Sequence, residues 1–151
     1  MNSDVMMLDA NIPMYAAGSS RDYKQPCGWV MAEIANGRLD AAIDTEIVQE
    51  ILYRFGGNQR WAIGIEMARH LLDIVPTVYG VSQADAILCV QLCEQYGPRG
   101  LSARDLLHVA VMRNHGLNTI ISTDADFDRV DGITRLDPKT FVDRLHKRTK
   151  T

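Results

Sequence analysis

Long apolar runs are missing from this chain, and none approaches the roughly 20 residues that a bilayer-spanning helix requires. The start also lacks the grammar of a signal peptide: Asp4 and Asp9 fall where a basic segment and an uninterrupted apolar stretch would stand. These absences lead us to expect a cytoplasmic protein with no membrane partner. Cysteine is scarce as well. Of the three, Cys89 and Cys93 share one face of a predicted helix, Cys27 lies far away, and no set has the number or spacing of a zinc site. Free, mostly buried thiols are the expectation. Neither sign of charge dominates: a formal net charge of -3 exerts no general pull on a polyanion, so nucleic-acid binding would need a local basic surface. Internal repeats, linkers and low-complexity segments are absent too. With 46% hydrophobic and 23% charged residues, the 151-residue chain fits a single globular domain with a sizeable core.

What is present is organised around the opening stretch Asp4-Val5-Met6-Met7-Leu8-Asp9-Ala10-Asn11-Ile12-Pro13. Its apolar run is too short for a helix and ends on an acid before turn chemistry, which reads as a buried parallel strand delivering Asp9 to its carboxyl end. Open α/β sheets bind ligands at that end. Desolvating an unpaired carboxylate is costly, so Asp9 calls for a counter-charge such as a metal ion.

Further along, Asn11 to Ala17 reads as a short helix ended by Gly18, and Pro26 as the first helical residue of a second, ended by Gly37. Ala41-Ala42-Ile43 is a weak strand, and Asp44 or Thr45 caps a helix that carries Glu46 and Glu50 to Gly56-Gly57. A helix from Asn58 precedes a strand at Asp73-Ile74-Val75-Pro76. Ser82-Gln83-Ala84-Asp85 and Ser102-Ala103-Arg104-Asp105 each have the form of a capping box opening a helix, and Gly97-Pro98-Arg99-Gly100 between them reads as a loop with room to approach a ligand. Thr119-Ile120-Ile121-Ser122 repeats the opening pattern, a buried strand followed by the acids Asp124 and Asp126. Gly132 to Leu136 reads as an edge strand, and Asp137-Pro138 starts the last helix. Strands alternating with helices imply parallel βαβ units with helices on both faces.

If the strands before Asp9 and Asp124 are neighbours, both acids enter one crevice, which Glu50 and Asp105 would join from helix N-terminal halves. Crowded carboxylates repel one another unless a cation neutralises them, and a set of hard oxygen donors selects Mg2+ or Mn2+. Each acid also has a plain structural role open to it. Asp105 can complete its capping box, Asp124 can cap a turn, and Glu50 competes with Glu46 one turn earlier. His108, one turn after Asp105, fits a packed or hydrogen-bonded core histidine.

Leu8-Asp9-Ala10-Asn11, Thr45 with Val48-Gln49-Glu50-Ile51-Leu52, Leu101 through Asp105 to Ala110, and Ile121 through Asp124 to Phe127 together resemble, in order and spacing, the PIN-domain nucleases. The resemblance spans nearly the whole chain, and the size is similar to that of VapC-type toxins of toxin and antitoxin pairs. It implies a PIN-like three-layer α/β/α sandwich with a mostly parallel sheet of four to five strands. The domain would span residues 1–145, followed by a short basic tail at 146–151. The activity implied is that of a Mg2+- or Mn2+-dependent endoribonuclease hydrolysing RNA phosphodiester bonds, commonly as a homodimer and with a possible cognate antitoxin. Asp9, Glu50, Asp105 and Asp124 match the acidic positions, and Asp126 a less regular fifth. Asn11 and Thr123 are candidates to support them. Arg104, Arg99 and Lys24 flank the expected site and are candidates for phosphate contacts.

Three other readings compete: a stand-alone PIN nuclease in RNA processing, a non-catalytic RNA-binding module with the same fold, and a phosphatase with an aspartyl nucleophile. The last usually needs a second acid near the nucleophile and a later lysine. Here Asn11 stands two residues after Asp9, and no lysine follows either strand signal.

Overall fold

The structure is a computed structural model that describes residues 5–149. Strands and helices alternate along the chain: β1 (Met6–Leu8), α1 (Asn11–Ala17), α2 (Lys24–Ala35), β2 (Ala41–Asp44), α3 (Thr45–Gly57), α4 (Trp61–Ile74), β3 (Thr77–Tyr79), α5 (Gln83–Tyr96), α6 (Ala103–Asn114), β4 (Thr119–Ile121), β5 (Thr134–Leu136) and α7 (Pro138–Thr149). Single 3-10 turns lie at Gly97–Arg99 and Ala125–Arg129. The five strands form one sheet in the order β3-β2-β1-β4-β5, and every pairing in it is parallel.

Strand periodicity sorts the core into two layers, because successive side chains leave opposite faces of the sheet. Met7, Ala42 and Ile120 pack with Leu92 and Tyr96 of α5 and Leu106 and Val109 of α6. Their neighbours Leu8, Ala41, Ile43 and Ile121 pack on the other face with Cys27 and Val30 of α2, Ile47 and Ile51 of α3, Leu71 of α4 and Phe141 of α7. The result is the expected three-layer α/β/α sandwich. The chain runs outward from β1 to β3 on one side and resumes at β4 on the other, so the sheet's switch point, and the crevice it opens, lies between β1 and β4.

Among the boundaries that differ from the sequence reading, three have a clear local cause. The expected strand at Asp73 to Pro76 is instead the end of α4. The Val75 amide still donates to the Leu71 carbonyl, Pro76 ends the helix, and the strand begins only at Thr77. Helix α4 starts at Trp61 rather than Asn58, since residues 58–60 form the turn out of α3, with Gln59 at φ 55° and the Arg60 amide donating to Phe55. Helix α2 starts at Lys24, two residues before Pro26. Pro26 falls in the first turn, where amides lack helical acceptors, and the Cys27 amide makes the bond to Tyr23. As far as Thr149 the basic end is the last part of α7, while residues 150 and 151 lie outside the described residues. Cys27 is buried and Cys89 and Cys93 half-buried, all as free thiols. Among the described residues no helix is long and apolar enough to cross a membrane.

Candidate active site

The pairing register places the first acid. Leu8 is paired with Ile121, so the next residues, Asp9 and Ser122, emerge together from the carboxyl ends of the two central strands. Ser122 Oγ donates to Asp9 Oδ2 at 2.7 Å, Asn11 Nδ2 donates to the same oxygen at 3.1 Å, and the Ala10 amide donates to Oδ1 at 2.8 Å. Asp9 is thus buried with both oxygens held. Ser122 Oγ also accepts from the Asp124 amide at 3.0 Å, and Asp124 in turn accepts from the Asp126 amide at 2.9 Å, which shapes the turn that presents both acids.

Glu50 and Asp105 arrive from helices. Asp44, the last residue of β2, caps α3 by accepting from the Ile47 amide, and the second turn of α3 then carries Glu50 inward, where it is 5% exposed. Ser102 caps α6 by accepting from the Asp105 amide at 3.1 Å, but no return bond from the Asp105 carboxylate closes the box. That carboxylate turns to the crevice. Gly100, at φ 92°, permits the sharp approach into this helix.

These elements enclose a cleft of about 460 Å³ lined by Asp9, Glu50, Arg54, Ser102, Arg104, Asp105, Asp124 and Asp126. Within it, single carboxylate oxygens of Asp105, Asp124 and Asp126 all lie within 4.8 Å of one another. Burial raises the pKa of Asp9 in spite of its hydrogen bonds. Burial, then the charges of Asp9 and Asp124, push that of Asp105 up to about 6. Glu50 behaves oppositely: burial would raise its pKa, but the cations around it, His108, Arg54 and Arg104, hold it low. Arg104 Nε is 3.6 Å from Glu50 Oε1 and Arg54 Nη2 is 3.7 Å from Oε2. His108 is wholly buried. Burial alone would lower its pKa, yet the flanking carboxylates of Asp44 and Glu50 push it up to about 10.

Asp9, Glu50, Asp105, Asp124 and Asp126 therefore meet as anticipated, and Asn11 supports Asp9. Thr123 contributes through its backbone, its amide donating to Asn11 Oδ1 at 3.4 Å. Arg104 lines the cleft, paired with Glu50 and with Glu46 at 3.7 Å. Arg99 and Lys24 are not among the lining residues. Arg99 lies over the Tyr96 ring, while Lys24 donates to the Gly18 carbonyl. The Gly97 to Gly100 segment is closed against Arg129, which donates to the Arg99 carbonyl and to Asp126 Oδ1 at 2.7 Å.

Sequence reasoning passed over Ser122, Arg54, Arg129 and the pair of Asp44 with His108. Two of these had a signal: Arg54 follows Glu50 by four residues, and Ser122 ends its strand as Asp9 ends β1.

The PIN domain family matches residues 6–133 of the chain. A VapC ribonuclease of Mycobacterium bovis and ribonuclease VapC13 of Mycobacterium tuberculosis are each 30% identical to it over 132 residues, which is 87% of this chain and 99% of the relative. Among solved structures, VapBC2 from Rickettsia felis bound to a promoter DNA fragment has a TM-score of 0.68 at 16% identity, covering 87% of this chain and 97% of that one. The sarcin-ricin loop cleaving toxin VapC20 of Mycobacterium tuberculosis has a TM-score of 0.68 at 14% identity, covering 82% and 92%. At such identities the structural likeness speaks for the fold, whereas the domain match and the closer relatives speak for descent. The chain belongs to the PIN-domain family, among the VapC ribonucleases.

Proposed function

We propose that the cleft hydrolyses RNA phosphodiester bonds as a Mg2+- or Mn2+-dependent endoribonuclease, with Asp9, Glu50, Asp105 and Asp124 as catalytic carboxylates. The observation that carries this reading is the group of Asp105, Asp124 and Asp126 oxygens within 4.8 Å of one another, beside a buried Asp9. Asp105, pushed up to about 6 by burial and its acidic neighbours, is the sign of a site short of positive charge. All five side chains offer only hard oxygen donors, which suits Mg2+ or Mn2+ better than zinc or copper. A bound ion would supply positive charge at the scissile phosphate and lower the pKa of water so that a hydroxide nucleophile is available at neutral pH. The chain does the rest. Ser122 and Asn11 lock the Asp9 carboxylate in one orientation, the turn at 124–126 presents two acids together, and Arg104 and Arg54 form a cationic rim able to hold the RNA backbone. Since the net charge is -3, that rim and the ion must supply the electrostatic attraction for RNA.

In this reading the nuclease domain covers residues 1–145 with a basic end at 146–151, acts as a homodimer, and is the toxin of a toxin-antitoxin pair restrained by a cognate antitoxin. The VapBC complexes among its structural likenesses support that partner. The test is cleavage of a labelled RNA. Cleavage should appear with Mg2+ or Mn2+, vanish in excess chelator, and be lost in Asp9→Asn while circular dichroism stays native. Undiminished cleavage in chelator would overturn the metal mechanism.

A further inference from the structure

We propose that His108, anchored on Asp44, is a positioning residue that holds the Glu50 carboxylate at the cleft. The inference rests on the reading of Glu50 as a site carboxylate. The two anchoring side chains are both fully buried, and His108 Nδ1 meets Asp44 Oδ2 at 2.6 Å. The other oxygen of Asp44 accepts from the Ile47 amide at 3.0 Å, so one carboxylate ties the end of β2, the first turn of α3 and the middle of α6. A caps-only role would leave Oδ2 idle, and a core histidine would be expected to satisfy both ring nitrogens.

Here it does not. Nε2 of His108 is the one buried side-chain nitrogen or oxygen among the described residues that has no hydrogen-bond partner. It lies 4.0 Å from Glu50 Oε1, beyond a hydrogen bond but within ion-pair range when the ring carries a second hydrogen. Because the Asp44 carboxylate can only accept, Nδ1 carries its hydrogen, and this anchor fixes the ring so that Nε2 is the nitrogen left facing Glu50.

Glu50 is therefore gripped from two sides of different character. In front stand Arg104 and Arg54, whose side chains are 35% and 57% exposed and reach Glu50 only at 3.6 and 3.7 Å. Behind stands a ring with no exposure and a single anchored orientation. RNA phosphates would compete for the two arginines, but nothing from solvent reaches the ring. The buried contact is the one able to keep Glu50 in place through turnover, as partners behind a ligating carboxylate commonly do.

The experiment is a double-mutant cycle of His108→Gln and Glu50→Gln, read in two ways: Mn2+ affinity by titration calorimetry and RNA cleavage split into kcat and KM. His108→Gln should lower Mn2+ affinity and kcat by about 10- to 100-fold, with KM for RNA nearly unchanged. In the Glu50→Gln background it should add no further loss. Equal fractional losses in both backgrounds overturn the proposal, because a general packing defect would act whatever stands at position 50. If His108→Gln does not fold, Asp44→Asn takes its place in the same cycle. The amide oxygen preserves the α3 cap while the negative charge facing Nδ1 is lost, and a smaller but equally non-additive loss is expected. A wild-type protein that binds Mn2+ without cutting RNA would remove the ribonuclease reading and leave the affinity cycle to decide this one.

Discussion

The starts of α5 and α6 carry the same local signature, Ser-x-x-Asp, and the two acids do opposite things. At α5 the box closes: Ser82 Oγ accepts from the Asp85 amide, and Asp85 Oδ2 accepts from the Ser82 amide at 2.9 Å. Its other oxygen accepts from Asn114 at 2.7 Å, and the side chain is wholly buried. Burial would raise the Asp85 pKa, but these hydrogen bonds hold it low. At α6 the serine bond forms and the return bond does not, so Asp105 faces other acids and its pKa is pushed up to about 6. One acid is committed to the fold, the other faces the cleft. The difference comes from what stands opposite each side chain: an amide of α6 in one case, the ends of β1 and β4 in the other.

The largest expected effect separates the two by activity. Asp105→Asn should cost orders of magnitude in metal-dependent cleavage, with the thermal midpoint in chelator unchanged or raised. Asp85→Asn should leave cleavage within a few-fold of wild type and cost about 1–3 kcal/mol in urea unfolding, the range for disrupting a buried hydrogen-bonded acceptor. Comparable activity losses in both variants would erase the distinction.

The pH dependence of stability sharpens it. The folded pKa of Asp105 lies above its unfolded value, so its favourable contribution to the ion-free protein is complete below about pH 4 and is lost as the pH rises through about 6. For Asp85, whose folded pKa is depressed, the contribution is present above the unfolded value and lost as the pH falls through the folded one. Thermal unfolding in chelator should therefore find Asp105→Asn no better than wild type near pH 4 and increasingly more stable towards pH 7. Asp85→Asn should show its full deficit at neutral pH and a shrinking one in acid. Differences that stay flat with pH would contradict both assignments.

The smallest effect concerns the serines. Ser82→Ala and Ser102→Ala each remove one capping bond and should each cost about 1 kcal/mol. Only Ser102→Ala should also slow cleavage, by a few-fold, since its helix turn presents Asp105 to the cleft. A rate unchanged in both would mean that the Asp105 carboxylate is held by something other than its helix start.

Much of this molecule was readable along the chain because its signals are local. Apolar runs ending on Asp9 and before Asp124, the caps at Asp44, Ser82 and Ser102, and the order of the acidic segments all depend on near neighbours, and all reappear in the fold. The boundary errors were local conflicts resolved by packing. The apolar Ile74 and Val75 look like strand, but they finish a helix whose Leu71 is already in the core, and Pro76 delays the strand to Thr77.

What the chain alone determined, then, is the type and order of most elements and which segments carry acids, because periodicity, capping and motif order are properties of residues a few positions apart. Only the tertiary structure decided which acid is free and which is engaged. Register set Ser122 beside Asp9, helix packing set Asn114 against Asp85 and His108 against Asp44, and the orphaned Nε2 behind Glu50 exists only once residues 50 and 108 are brought together. Charge and hydrogen bonding act across space over a few ångströms, and separation along the sequence does not record that distance.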